Sequence, residues 1–433
     1  MASDWPIIAL KDITESINTG LDAIRRAPIV SYKTAIKCLR IQDVSNNKIY
    51  RDWGFTDVRP VDYEKYRLRR GEIIMARTCS TGINYLVRVD MEAVFNNGLA
   101  RIRLKSSTAF PEFVYYVFMS QDFINYIDGI SGGTSVQLNM KVGDLAKFQF
   151  PLPPLAEQKA IASILGALDD KIELNRRMNA TLEGMARALF QSWFVDFDPV
   201  RAKLDGRKPE GLDKATAALF PDAFEESEAG QIPKGWMACT LSDIAKNVSI
   251  TFDFKRVSEV VFINTGDVLE GDFLHSNRSP HAGLPGQAKK SIRPEDILFS
   301  EIRPANKRYA YVDFDSSDYV VSTKFMIIRG SQEIHPRLLY RILTAKDTLD
   351  EFQVQAESRS GTFPQITFDS ISHLPIVLPS IGIQEAFQRA VDKMDDQIKV
   401  NKQQSRTLAT LRDTLLPKLL SGELSVASTK VKA

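Results

Sequence analysis

The chain has 433 residues, 44% hydrophobic and 25% charged, and 56 basic against 54 acidic side chains leave a net charge of +2. Such a composition builds two or three ordinary packed domains, and it excludes a wholly disordered chain, a collagen-like fibre and a disulfide scaffold. It also excludes a strongly basic DNA-binding module, so phosphate contacts, if DNA is the ligand, must come from local clusters or from partner subunits.

The N-terminal Met1-Ala2-Ser3-Asp4-Trp5-Pro6 has no basic region followed by an apolar stretch, so no signal peptide is expected. No apolar run approaches the roughly 20 residues of a membrane helix. Cys38, Cys79 and Cys239 are scattered and odd in number, as in a reducing compartment. A soluble cytoplasmic protein is expected. Up to residue 150 the chain reads as short β-rich runs, such as 72–76 and 99–104, broken by Gly, Asn and Ser turns. A helix is predicted over 111–126, with Pro111 in its first turn. Leu152-Pro153-Pro154 then ends the globular part, and a heptad rhythm begins at Ile161, Leu165, Leu168 and Ile172. It continues through Asn175 and Asn179, polar positions within the seam, to Leu182, Ala186 and Leu189. Residues 199–234, rich in Pro, Gly, Glu and Lys, read as a linker with a short helix over 212–218.

Beyond the linker the pattern starts again. Ser131-Gly132-Gly133-Thr134, running on to Phe150-Pro151-Leu152, is answered by Ser360-Gly361-Thr362, running on to Val377-Leu378-Pro379. Pro111-Glu112-Phe113-Val114-Tyr115 is answered by Pro336-Arg337-Leu338-Leu339-Tyr340, and Asp169-Asp170-Lys171-Ile172 by Asp395-Asp396-Gln397-Ile398. Gln42-Asp43-Val44 matches Gly266-Asp267-Val268, and Glu72-Ile73-Ile74 matches Asp296-Ile297-Leu298. Blocks in one order at nearly one offset make the chain two copies of a unit of about 200 residues, a tandem pair and not a solenoid. The second helix repeats the seam as Phe387, Val391, Met394, Ile398, Asn401, Ser405, Leu408, Arg412 and Leu415, with Asn401 answering Asn175. A polar seam residue lowers stability but fixes register. About 35 helical residues span roughly 50 Å. Two equivalent helices are most simply related by a pseudo-two-fold axis, which makes them an antiparallel pair with the globular parts at opposite ends. The alternative is two amphipathic helices, each packed on its own domain.

No catalytic constellation emerges. His275, His281, His335 and His373 have no zinc-like partners, and neither a phosphate loop nor a dinucleotide fingerprint occurs. An Asn-Pro-Pro-aromatic tetrapeptide of the amino-methyltransferase kind is absent too. Asp196-Phe197-Asp198-Pro199 could be imagined as metal ligands but reads as a solvated turn ending the helix. Pro294-Glu295-Asp296 with Glu301-x-Arg303 faintly resembles a nuclease cluster without its lysine, and Asp296 and Glu72 read as surface turns before strands. No catalytic residue and no metal site is assigned, which favours binding or scaffolding. What remains is matched polar loops. The first copy offers Arg77, Thr78, Ser80, Thr81 and Asn84, then Thr134, Ser135, Gln137 and Asn139; the second offers Arg303, Asn306, Lys307 and Arg308, then Arg359, Ser360, Thr362 and Gln365. Arg, Asn and Gln read base edges in pairs of hydrogen bonds, while Ser, Thr and Lys hold phosphates. Gln137 and Gln365 follow the repeated Gly-Thr by three residues and could reach adenine, whereas Arg359 would meet a phosphate.

Leu152-Pro153-Pro154-Leu155-Ala156-Glu157-Gln158, Leu168-Asp169-Asp170-Lys171-Ile172-Glu173-Leu174-Asn175 and Ser192-Trp193-Phe194-Val195-Asp196-Phe197 together resemble the central conserved region of Type I restriction–modification specificity subunits. Ile232-Pro233-Lys234-Gly235-Trp236 resembles the entry to their second variable domain. Leu415-Leu416-Pro417-Lys418-Leu419-Leu420-Ser421-Gly422-Glu423-Leu424 resembles their C-terminal end. The second copy departs from the pattern, with Ser380-Ile381-Gly382-Ile383-Gln384 in place of Pro-Pro-Leu-x-Glu-Gln. The resemblance implies an α+β chain of two tandem α/β target recognition domains, joined by two long helices packed as an antiparallel coiled coil that sets their separation. On that plan residues 1–152 and 236–380 are the recognition domains, 153–195 and 381–424 the conserved helices, 196–235 the linker and 425–433 a tail. It implies a non-catalytic subunit that reads a bipartite, asymmetric site in double-stranded DNA. Its implied partners are two adenine-methyltransferase subunits and two motor–nuclease subunits. S-adenosylmethionine, ATP and magnesium are expected on those partners and no cofactor on this chain. A tandem recognition protein of another restriction or methylation system, or a scaffold that binds no nucleic acid, are the alternatives.

Overall fold

The structure, a computed structural model, describes residues 4–426 apart from 47, 79, 131–139, 229, 360 and 361. It divides into two compact units, one of residues 1–177 with 401–433 and the other of 178–400. Among the described residues no helix is long and apolar enough to cross a membrane.

In the first unit Ile7–Ala9 pairs with Gln149–Pro151, tying the start of the domain to its end. A four-stranded antiparallel sheet runs Thr14–Thr19, Leu99–Leu104, Ile73–Ala76, Asn84–Leu86. Side chains alternate across a strand, so Ile73 and Met75 enter one core while Ile74 and Ala76 enter another. Burial on both faces explains the unbroken apolar run. The second core is closed by a mixed sheet, in which Lys37–Leu39 lies parallel to Ala93–Phe95. The first is closed by Pro111–Val117 and Gln121–Ile130, two helices where the spacing predicts one over 111–126. The break at 118–120 lets Phe118 and Phe123 meet, ring centroids 4.6 Å apart, while the Ser120 hydroxyl accepts a bond from the Phe123 amide.

The second unit repeats this plan. Met237–Thr240 pairs with Pro375–Leu378. The antiparallel sheet runs Ala245–Asn247, Phe325–Gly330, Ile297–Ser300, Tyr309–Tyr311, and Glu259–Ile263 lies parallel to Tyr319–Ser322 in the mixed sheet. Residues 196–235, expected to be a linker, are packed within this unit. Phe197 turns left-handed (φ 55°), Asp198–Leu204 and Lys214–Leu219 are helices, and Phe224–Ser227 forms a hairpin with Gly230–Pro233. Val200, Phe220 and Trp236 join Trp193 and Phe387 in one apolar cluster, a contribution that the Pro, Gly, Glu and Lys content conceals. Asp196 and Asp198 are exposed, as a solvated turn requires.

Glu72 and Asp296 correct the expectation of surface turns, since both are buried. Asp296 accepts both a 2.7 Å and a 2.9 Å bond from the Arg329 guanidinium, and a third from the Arg293 amide. Glu72 accepts from Arg103 at 2.6 Å and from the Arg69 amide, with Arg101 at 3.6 Å. In each copy the carboxylate precedes one sheet strand and its arginine sits on the neighbouring strand, so the pair repeats with the fold.

The two long helices, Leu155–Phe194 and Ile381–Leu420, each have 40 residues, about 60 Å. Every seam residue named above is buried or half-buried. In the first unit the segments pair antiparallel: Asp169 meets Arg412 at 2.7 Å, and the buried Asn175 amide donates to the Asn401 carbonyl, Gln404 and Ser405. In the second unit Phe190 and Phe194 pack on Phe387, and Ala186 shares a cluster with Val391, again antiparallel. A glutamine anchors each helix to its own domain. The Phe110 amide donates to Gln158 Oε1, and Gln158 Nε2 donates to the carbonyls of Thr108 and Pro153. Gln384 repeats the three bonds with His335, Glu333 and Pro379.

Candidate nucleic-acid interface

In both units the central strand of the antiparallel sheet runs out into a polar loop, braced by the same main-chain bonds. The Ala76 amide donates to the Ile83 carbonyl, as Ser300 does to Arg308. The Arg77 amide donates to Gly98, as Glu301 does to Lys324. The Arg77 carbonyl accepts from Met140, as Glu301 accepts from Ile366. These bonds set Arg77 opposite Glu301, not Arg303, and make the second loop one residue longer.

In the second unit the loop 301–308 and the segment 362–366 come together. Ile302 bridges Gln365, and the Arg303 amide donates to the Pro364 carbonyl at 3.1 Å. Arg303 (φ 45°) and Lys307 (φ 54°) are left-handed on either side of a tight turn whose Pro304 is buried. The basic side chains then divide by occupation. Lys307 holds Glu270 at 2.5 Å, and Arg308 donates to the carbonyls of Gly266 and Val268. Arg303, Asn306 and Thr362 are exposed, with side chains that bond to nothing among the described residues; Gln365 is half-buried and equally uncommitted. In the first unit Arg77 donates to the carbonyls of Met140 and Asn97, and Asn84 to that of Gly82. Those two side chains brace the fold. Thr78, Ser80 and Thr81 lie half-buried on the same loop. Thr134, Ser135, Gln137, Asn139, Ser360 and the side chain of Arg359 lie outside the described residues. Sequence reasoning missed the turn 96–98, whose exposed Asn97 stands beside the Arg77 loop; the Asn-Asn-Gly turn signal between two strands was there to read.

Burial pushes the Cys38 thiol up to about 12 and the Cys239 thiol up to about 11, leaving both as neutral thiols, and it lowers the His335 imidazole. Among the described residues no three His, Cys, Asp or Glu side chains are placed to hold a metal. An exposed, uncommitted guanidinium such as Arg303 suits a phosphate. Arg303→Ala is expected to weaken DNA binding alike for all sequences and to reduce the slope of log affinity against log salt by about 1. Titration at several salt concentrations checks this; an unchanged slope removes Arg303 from the interface.

The family model of the Type I restriction modification DNA specificity domain matches residues 2–184 and 233–410. The specificity subunit of the HindI Type I restriction enzyme of Haemophilus influenzae is 48% identical over 181 residues, which are 42% of this chain and 39% of that protein. That of the MjaIX enzyme of Methanocaldococcus jannaschii is 25% identical over 434 residues, 98% of this chain and 94% of that one. The crystal structure of a Type I restriction–modification S subunit from M. genitalium shares the fold, with a TM-score of 0.57 at 14% identity over 96% of each chain. The chain belongs to the Type I restriction modification DNA specificity family, carries its domain twice, and is a specificity subunit rather than a catalytic one.

Proposed function

We propose that this chain reads a bipartite, asymmetric site in double-stranded DNA, one half with each unit. The observation that carries this is the loop framework built twice with different side chains: Thr78, Ser80 and Thr81 on one, Arg303 and Asn306 on the other. Equal frames with unequal contents suit two half-sites of unequal sequence. The chain scaffolds two adenine-methyltransferase subunits in the cytoplasm and, through them, two motor–nuclease subunits. S-adenosylmethionine, ATP and magnesium belong to those partners. The paired long helices act as the spacer between the half-sites. Replacing residues 236–378 with the corresponding part of a relative is expected to change one half of the methylated motif and leave the other intact. Methylation-aware sequencing of cells carrying the hybrid reads this directly, and a change in both halves together would overturn independent reading.

A further inference from the structure

Just beyond the sheet's first edge strand, residues 22–27 of the first unit form a locked turn that holds an isoleucine out in water. Ile24 is 83% exposed, more than any other large hydrophobic side chain among the described residues. The Asp22 carboxylate accepts from the amides of Ile24 (3.0 Å) and Arg25 (2.7 Å), and its carbonyl accepts from those of Arg26 and Ala27. Leu21 and Ala27 are buried at the base, and Arg26 is tied to Asp62 over the ring of Tyr66. The neighbouring Arg25 bonds its guanidinium to nothing among the described residues.

The turn stands beside the loop already described. The Leu21 amide donates to the Phe95 carbonyl, and the Leu21 carbonyl accepts from Asn97 at 2.7 Å. A Cβ on Gly20 would lie 2.3 Å from the carbonyl oxygens of Phe95 and Asn96, so only glycine permits this approach. Arg77 grips the other flank of the same turn, through the carbonyls of Asn97 and Gly98. In the second unit the Asp253 carboxylate caps a comparable turn by accepting from the Lys255 amide, so that Lys255 stands two residues after the aspartate where the first unit has Ile24, and Thr323, which matches Asn97, donates to the Gln287 carbonyl. The turn thus carries different side chains in the two units, as an element that reads sequence should.

We propose that Ile24 is a specificity-determining contact of the first unit, pressing its branched side chain on base edges while Arg25 meets the adjacent phosphate. This rests on the DNA-reading function proposed above. Duplex DNA matches both parts of the tip, since grooves offer thymine methyls and apolar base surface beside a charged backbone. A rigid turn spares the cost of ordering that side chain on binding. The test uses the full chain assembled with its methyltransferase partner, and duplex libraries randomised in either half-site. Ile24→Ala is expected to weaken cognate binding roughly tenfold and to relax preference at one or two adjacent base pairs of a single half-site. Thermal unfolding should not move, because the side chain is exposed. Arg25→Ala should weaken all duplexes alike. Cognate affinity within twofold of wild type and an unchanged library profile for Ile24→Ala overturn the proposal, as does a uniform loss without relaxed preference. A wild-type assembly with no sequence preference would instead overturn the DNA-reading function, and this proposal with it.

Discussion

Replacing Glu72 with alanine is expected to destabilise the first unit by about 3–5 kcal/mol, the cost of stranding a buried guanidinium without its carboxylate. Arg101 is 1% exposed. Apart from Glu72, its guanidinium has among the described residues only the carbonyls of Lys65 (3.1 Å) and Arg67 (3.4 Å) and the rings of Phe95 and Tyr66. Burial already holds its pKa below the ordinary guanidinium value. Without Glu72 the charge has no opposite partner among the described residues, and the Arg69 amide loses its acceptor. Replacing both Glu72 with alanine and Arg101 with leucine should recover much of the loss, because the charge to be compensated is then gone. Native-state hydrogen exchange at Ile73–Ala76 measures the effect locally, with Ile297–Ser300 as the internal control. A drop below 1 kcal/mol at 73–76 would show that the pair contributes little.

Gln384→Ala should cost the second unit about 2–4 kcal/mol, since it leaves one amide and two carbonyls without partners at a buried site. Gln158→Ala should cost the first unit as much, because its three bonds are the same three. Gln384→Glu retains the acceptor for the His335 amide but loses both donated bonds and buries a carboxylate, so it should rescue nothing near neutral pH. Hydrogen exchange through 381–391, where the helix starts, is the measurement. Alanine variants that both stay within 0.5 kcal/mol of wild type would mean the helices are held to their domains by apolar packing alone.

The duplication and the long helices were legible because both are periodic along one dimension. Shifted blocks and a heptad need no knowledge of what touches what. The glutamines stood in plain view at the start of each helix, but two of each one's three partners lie 48 to 51 residues upstream. Glu72 and Asp296 looked like solvated turns because their arginines arrive 29 to 33 residues later, on a neighbouring strand. Residues 196–235 read as a linker because polar and turn residues outnumber Val200, Phe220 and Trp236, whose burial depends on Trp193 and Phe387. At the candidate interface, polarity marked out the polar loops but could not sort free side chains from occupied ones. Arg77 and Arg308 are occupied by carbonyls of Asn97, Met140, Gly266 and Val268, all remote in sequence, whereas Arg303 is not.

The braces that the two loops share are main chain to main chain, and a peptide group bonds alike whatever side chain it carries. New residues at Thr78, Thr81 or Asn306 therefore inherit a finished mount, and such exposed or half-buried exchanges usually move stability by less than about 0.5 kcal/mol. Arg303 and Lys307 are stricter, because their left-handed backbone penalises β-branched newcomers. A lineage can thus rewrite what these loops touch one letter at a time and remain folded at each step. The matched carboxylate–arginine pairs and glutamine anchors do not share that freedom, so novelty should gather at the loop tips while their footings stay put.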